Sequence, residues 1–132
     1  MSGHVAICTG YAAIFDIADA KRDVIRRGAF ARAVASGRTV PVYWQHRPNM
    51  MIGVVGELRE AAIGLFVRCG LDRLPEGLVP GPIGLSFGYR ALNPIRTRTG
   101  RELTEIDLME VSLVTAPMHP MARGEIELVV PA

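Results

Sequence analysis

Three polar side chains stand in otherwise apolar stretches of this sequence, and together they carry the groups that acyl transfer needs. Ser86 lies in Pro82-Ile83-Gly84-Leu85-Ser86-Phe87-Gly88-Tyr89, His46 ends the segment Thr39 to His46, and Glu110 falls inside Glu102 to Thr115. A serine hydroxyl is a poor nucleophile near neutral pH. It needs a base within hydrogen-bond reach and a third group that fixes the imidazole tautomer and stabilises its cation. A histidine and a carboxylate supply both. Each residue also has a plain structural role open to it: His46 bonded to a carbonyl at a strand end, Ser86 as a small packing residue, Glu110 as partner of a buried arginine such as Arg90.

The elements that must position these groups can be read from hydrophobic period. As a strand, the serine segment puts Leu85, Phe87 and Tyr89 on one face and Gly84, Ser86 and Gly88 on the other. Glycine adds entropy cost in a strand and packs nothing, so glycines two residues to either side imply that something large approaches the backbone there. An acyl substrate is such an object; a tight strand crossing or barrel bend is the other. Glu102 to Thr115 reads as one long strand, apolar on both faces, with Ile106, Leu108, Glu110, Ser112 and Val114 on one and Asp107, Met109, Val111, Leu113 and Thr115 on the other. If the chain folds back about Thr97 to Gly100, Ser86 faces the Glu110 to Ser112 region across an antiparallel pair.

Further strands are expected at His4 to Phe15, with Val5, Ile7, Thr9, Tyr11 and Ala13 alternating, and at Thr39 to His46, with Val40, Val42, Trp44 and His46 on one face. Pro48 is expected to close the latter. Ile52 to Glu60 and Leu65 to Leu71 form a hairpin across Ala61 to Gly64, and Ile126 to Val130 is a last strand. Ala29, Phe30, Ala33 and Val34 share one face of a short helix stopped by Gly37. Asp72 to Pro82, rich in proline and glycine, is a loop, and Pro94 to Gly100 an arginine-rich turn.

The 132 residues suit one domain, residues 1–132, with 49% hydrophobic and 21% charged content. A net charge of +2 with scattered arginines argues against a nucleic-acid partner. Two cysteines, Cys8 and Cys69, make no disulfide framework and point to a reducing interior. His4, His46 and His119 are dispersed, so neither a metal nor a cofactor is expected. No signal pattern or bilayer-length apolar run is present, so no membrane partner is expected and the origin is read as cytoplasmic.

These residues also carry a resemblance. Tyr11-Ala12-Ala13-Ile14-Phe15, Asp23-Val24-Ile25 with Gly28-Ala29-Phe30, Trp44-Gln45-His46, Ile52-Gly53, the serine segment, and Leu108-Met109-Glu110-Val111-Ser112-Leu113-Val114-Thr115 with Pro117 and Pro120 resemble the prohead proteases of tailed phages, in order from about residue 9 to 123. The resemblance implies a serine peptidase of capsid maturation, related in fold to the herpesvirus assembly proteases. The fold class it implies is α+β, mainly β: a closed or partly open, antiparallel-rich β-barrel with a few short flanking helices. It implies His46 as general base, Ser86 as nucleophile and Glu110 as third member, while Asp107 points to the opposite strand face and Ser112 either supports the site or packs. The implied partners are the major capsid protein with its scaffolding segment, the protease itself as substrate, and a second copy in a dimer, all inside the assembling procapsid in the bacterial host cytoplasm.

The sequence departs from the family pattern in one stretch. Members usually carry a helix before the serine strand, where this chain has the short Asp72 to Pro82 connection, and the longer C-terminal tail is absent. A non-catalytic capsid-assembly module on the same barrel is the competing reading. A small ligand-binding barrel is a third, which expects a closed pocket lined by Ser86 with His46 elsewhere.

Overall fold

Alternating hydrophobic segments of this length bury one face each only by closing on one another, and here they close completely. The structure, a computed structural model, describes residues 3–129. In chain order these form β1 (Ala6–Ile14), β2 (Asp23–Ile25), α1 (Ala31–Ser36), β3 (Pro41–Trp44), β4 (Arg47–Glu60), β5 (Gly64–Leu71), β6 (Gly81–Ala91), β7 (Ile95–Arg96), β8 (Arg101–Leu103), β9 (Ile106–Val114) and β10 (Arg123–Leu128). Seven strands make a closed barrel in the order β1-β10-β6-β9-β3-β4-β5, and β2-β8-β7 form a small separate sheet. The barrel is antiparallel except where β3 runs parallel to β9. The expected mainly-β barrel is therefore present, with one six-residue helix among the described residues rather than a few.

The core comes from β5, β6 and β9, whose Leu65, Leu71, Leu85, Leu108 and Leu113 are fully buried. On β1 the first buried residues, Ala6, Cys8 and Ala12, lie off the alternating set read from the sequence, and Ala13 of that set and Ile14 are buried at the strand's end. A bulge between Tyr11 and Ala13 shifts the phase, and Tyr11 packs instead edge-on against Phe66 at 5.9 Å. Periodicity gave the alternation correctly but not which side faces inward.

The helix is shorter than its expected face. Ala29 and Phe30, both buried, lie in the turn before α1, while Val34 is exposed; Gly37 caps the end with a left-handed φ of 66°. Phe30 meets Phe87 of β6 at 5.4 Å, fixing this connection to the barrel. The β4–β5 hairpin closes as expected through Ala61 N–H donating to Gly64 O at 2.8 Å. Residues 72–80 form a loop anchored by buried Leu78.

Two expected boundaries move. Pro48 does not end its segment but lies in β4. The long strand from Glu102 breaks at Thr104 and Glu105 into β8 and β9, and exposed Met109 shows that β9 is not covered along both faces. The last strand ends at Leu128, and Val130 lies outside the described residues.

Candidate active site

Strand register puts the serine and the acid together. Ser86 of β6 pairs with Ser112 of β9, and Gly88 pairs with Glu110. Residues opposite one another in an antiparallel pair share a face. Ser86, Gly88, Glu110 and Ser112 therefore lie on one side of this ribbon, away from Leu85, Val111 and Leu113. This is the pairing that folding back about Thr97 to Gly100 predicts, with an irregularity between Gly88 and Tyr89.

The glycines flanking Ser86 have a use other than admitting substrate. A Cβ on Gly88 would lie 2.5 Å from Glu110 Oε1, and one on Gly84 would lie 2.7 Å from Val114 O and 2.8 Å from Pro117 Cδ. The objects that approach the backbone are the Glu110 carboxylate and the Pro117 ring. The bare floor expected for an acyl group is already filled by the chain itself.

His46 reaches the carboxylate from a turn, not from the expected strand face. Trp44 pairs with Arg47, and the two residues between them have positive φ, 56° at Gln45 and 59° at His46, the geometry of a tight two-residue hairpin turn. Gln45 locks that turn to the end of β9. Its N–H donates to Leu113 O at 2.9 Å, its side-chain Nε2 donates to Thr115 Oγ1 at 3.1 Å, and its Oε1 accepts from Thr115 N–H at 3.1 Å. Two left-handed residues cost strain. Three hydrogen bonds to one strand end offset it and aim the imidazole.

His46 Nδ1 lies 2.6 Å from Glu110 Oε1, and Ser112 Oγ donates to Glu110 Oε2 at 2.5 Å. The Glu110 side chain is 10% exposed and that of His46 44%. A nearly buried carboxylate is costly unless both oxygens find donors. Here one oxygen takes a hydroxyl and the other an imidazole N–H, and in a neutral ring that arrangement puts the free lone pair on Nε2. Ser112 is thus part of this network, whereas Asp107 faces elsewhere and pairs with Arg90 at 3.3 Å, so Arg90 is not the partner of Glu110.

Ser86 and His46 line one cavity of about 330 Å³, and among the described residues Ser86 Oγ has no hydrogen-bond partner. His119 Nε2 is the occluded side-chain polar atom that lacks a partner among the described residues, so the unbonded Ser86 Oγ keeps access to the cavity. A cavity shared with a half-exposed His46 does not fit the closed ligand pocket of the third sequence reading. The remaining wall is mostly apolar, with Ala12, Ile14, Ile17, Phe87 and Met118, and the charged residues Asp19, Lys21 and Asp23 also line it.

Asp23, one of the residues that carry the resemblance but given no role by it, ties the small sheet to the barrel. Arg101 holds it with Nε at 3.0 Å and Nη2 at 2.9 Å, and Tyr89 Oη donates to it at 3.1 Å. The Arg101 hydrogen bonds hold the Asp23 carboxyl below its usual range. Burial, reinforced by Asp23, pushes the Tyr89 hydroxyl up to about 12. Asp23 and Tyr89 lie in separate motifs of the resemblance and Arg101 in none, so no single local motif signals their meeting. His119, also in the cavity wall, appears in the sequence only as one of three scattered histidines.

Comparison with known proteins agrees with the barrel and extends it. The pattern defining the Caudovirus prohead serine protease family matches residues 2–129. The prohead protease of Enterobacteria phage HK97 is 31% identical over 133 residues, spanning 91% of this chain and 59% of that protein. The fold is shared with varicella-zoster virus protease (TM-score 0.61, 12% identity, 93% of this chain and 64% of that one). It is shared too with KSHV protease in complex with a hexapeptide phosphonate inhibitor (TM-score 0.58, 12% identity, 93% and 65%). The match in sequence runs through every strand of the barrel, and the chain belongs to the Caudovirus prohead serine protease family.

Proposed function

We propose that this chain is a serine endopeptidase of procapsid maturation, with Ser86 as nucleophile, His46 as general base and Glu110 as the group that orients and stabilises the imidazole. The observation that carries the reading is the 2.6 Å contact between His46 Nδ1 and a nearly buried Glu110. It sits one register step from Ser86 on the paired strand. With Nδ1–H held by the carboxylate, Nε2 takes the Ser86 proton as Oγ adds to a peptide carbonyl. The same proton then passes to the leaving amine, and water, activated in the same way, attacks the acyl-enzyme ester, releasing the acyl product as a carboxylic acid and returning the proton to Ser86 Oγ.

The proposed substrate is an extended segment of the major capsid protein, its scaffolding part, with the protease itself as a second. β10 pairs with β6 only from Gly81 to Gly84, and Leu85 N–H goes to Ala122 O. The stretch of β6 beyond Ser86 has no second strand hydrogen-bonded to it among the described residues, and the cavity opens between it and Ala12 to Ile14 of β1, an edge suited to an extended polypeptide. Confinement within a procapsid raises effective concentration and so compensates for modest recognition by an apolar cavity.

Co-expression with the cognate capsid protein tests this. Trimming of the capsid protein that disappears in Ser86→Ala and His46→Ala is expected. Unchanged trimming in both variants sinks the proposal and favours the non-catalytic assembly module.

A further inference from the structure

The chemistry of acyl transfer sorts the two sides of a scissile bond. The proton taken from Ser86 returns through His46 Nε2 to the leaving amine, so the amine side must lie against His46. The acyl side then extends the other way, and the side chain nearest Ser86 is the one borne by the residue that supplies the carbonyl. That side chain meets the rest of the cavity that Ser86 and His46 line.

Away from those two polar groups the cavity is walled by hydrocarbon. β1 contributes Ala12 and Ile14, β6 contributes Phe87, and two loops contribute Ile17 and Met118. The charged residues on the same wall are engaged or turned to water. Both oxygens of Asp23 accept from Arg101, and Tyr89 Oη adds a third bond. Asp19 Oδ1 accepts from the N–H groups of Lys21 at 2.8 Å and Asp23 at 2.9 Å. Lys21 is exposed, and a lysine so placed keeps its ammonium in solvent while its stem covers apolar surface.

Ile17 is 48% exposed, yet the chain around it is fixed. Asp16 and Arg22, one on each side of residues 17–21, have left-handed φ of 67° and 64°, a strained choice for residues with a Cβ. Asp16 N–H donates to Ile25 O at 2.9 Å, and its carboxylate accepts from Arg26 Nη1 at 3.0 Å. Arg22 N–H donates to Asp19 O at 2.9 Å, and its carbonyl accepts from Arg101 N–H at 3.2 Å. Ala20 N–H donates to Met118 O at 3.0 Å, which joins this strap to the loop after β9. Between the two left-handed residues, Ile17, Asp19 and Lys21 alternate onto the cavity wall. Strain at both ends of the strap thus holds an apolar side chain in the same cavity as the nucleophile, and a wall already in place selects by fit with little ordering cost on binding.

We propose that this cavity is the subsite for the acyl-side residue of the scissile bond, that it selects a bulky apolar side chain there, and that Ile17 and Met118 determine the choice. The proposal rests on the assignment of Ser86 as nucleophile. It names the substrate class as polypeptide cleaved after a large apolar residue. An apolar pocket discriminates by about 10- to 200-fold for a methylene gained or lost, so the preference over alanine should be easy to read.

The test uses the intact chain and peptidyl diaryl phosphonates that differ only in the side chain beside phosphorus, which is that of alanine, leucine, phenylalanine, lysine or glutamate. Ser86 Oγ bonds to phosphorus as one phenol leaves with the serine proton, so the acyl side alone is present. Rate constants for Ser86 phosphonylation, read by peptide mass spectrometry, are expected to be about tenfold or more higher for the leucine and phenylalanine analogues than for the other three. In Ile17→Asp, where a carboxylate replaces part of the apolar wall, the leucine-to-lysine ratio is expected to fall by about tenfold or more. Rates within about threefold across the series, or fastest labelling by the alanine, lysine or glutamate analogue, overturn the subsite while leaving Ser86 as nucleophile. An unchanged ratio in folded Ile17→Asp refutes the role given to Ile17. If that variant does not fold, Met118→Asp takes its place with the same ratio expected to fall, and an unchanged ratio again refutes the proposal. Absence of a Ser86 adduct with every analogue overturns the nucleophile assignment and the subsite together.

Discussion

Gly88→Ala separates the two uses a glycine beside Ser86 can have. The added Cβ would lie 2.5 Å from Glu110 Oε1, 2.9 Å from Cγ and 3.1 Å from Cδ. An ordinary contact begins near 3.4 Å. The carboxylate must therefore retreat by about 0.9 Å, the difference between 3.4 and 2.5 Å, which can stretch the 2.6 Å bond to His46 to about 3.5 Å, the outer edge of hydrogen-bond range, if His46 stays in its clamped turn. A displacement of about 1 Å in a positioning group can cost about 10² in rate. The clash is with the end of a side chain rather than with backbone, so the loss of stability should stay near 1 kcal/mol. Steady-state cleavage of a fluorogenic peptide spanning the capsid cleavage site is then expected to show kcat lower by about 10² with KM nearly unchanged. Gly84→Ala meets a backbone carbonyl and a proline ring and should instead lower the thermal midpoint. A raised KM with unaltered kcat in Gly88→Ala would mean that substrate, not Glu110, occupies the space above the glycine. Wild-type values for both parameters would refute the reasoning altogether.

Other perturbations separate parts of the same account. Glu110→Gln keeps the shape but no longer holds the His46 tautomer, and kcat should fall by about 10²–10⁴; Ser112→Ala, which frees one carboxylate oxygen, should cost about tenfold, and steady-state kinetics on both variants checks the order. Arg101→Met strands the buried Asp23 carboxylate, and because Arg101 is 38% exposed the cost at neutral pH should sit at the low end of the roughly 3–5 kcal/mol seen when a buried pair loses one member. The folded Asp23 carboxyl titrates below its ordinary 3.8, so its contribution in wild type is full above that pH and is lost as pH falls through the lower folded value. Urea melts should therefore show the Arg101→Met deficit narrowing below about pH 4, since protonation relieves the variant and costs the wild type. Cys8 and Cys69 are fully buried, and burial pushes the Cys8 thiol up to about 12 and Cys69 higher still. Neither should react with a disulfide reagent at pH 8 in folded protein, and both should react in denaturant.

The parts of this site that the sequence discloses are those set by one strand pair. Ser86 opposite Ser112 follows from a nearly constant sum of residue numbers across β6 and β9, and the apolar neighbours of Glu110 mark it as a carboxylate in need of a partner. His46 was legible as a residue but not as a position. Its left-handed turn is held by Gln45 against Thr115, 70 residues away, and no local pattern encodes that clamp. The glycines were legible as places of close approach, yet what approaches them is decided by tertiary packing: a side chain from β9 and a ring from the loop after it. β1 shows the same limit, since alternation is local while the inward face depends on the bulk that opposite strands bring. Asp23, Tyr89 and Arg101 meet across separations of 66 and 78 residues, and His119 sits beside the cavity only because its loop is tied to Leu85.

The most direct measurement is the location and rate of covalent labelling by the peptidyl phosphonate, read by peptide mass spectrometry. The account predicts a single adduct on Ser86, formed at a rate that falls steeply in His46→Ala and in Glu110→Gln. A label on another residue, or a Ser86 label formed as fast without the imidazole and the carboxylate as with them, would contradict it.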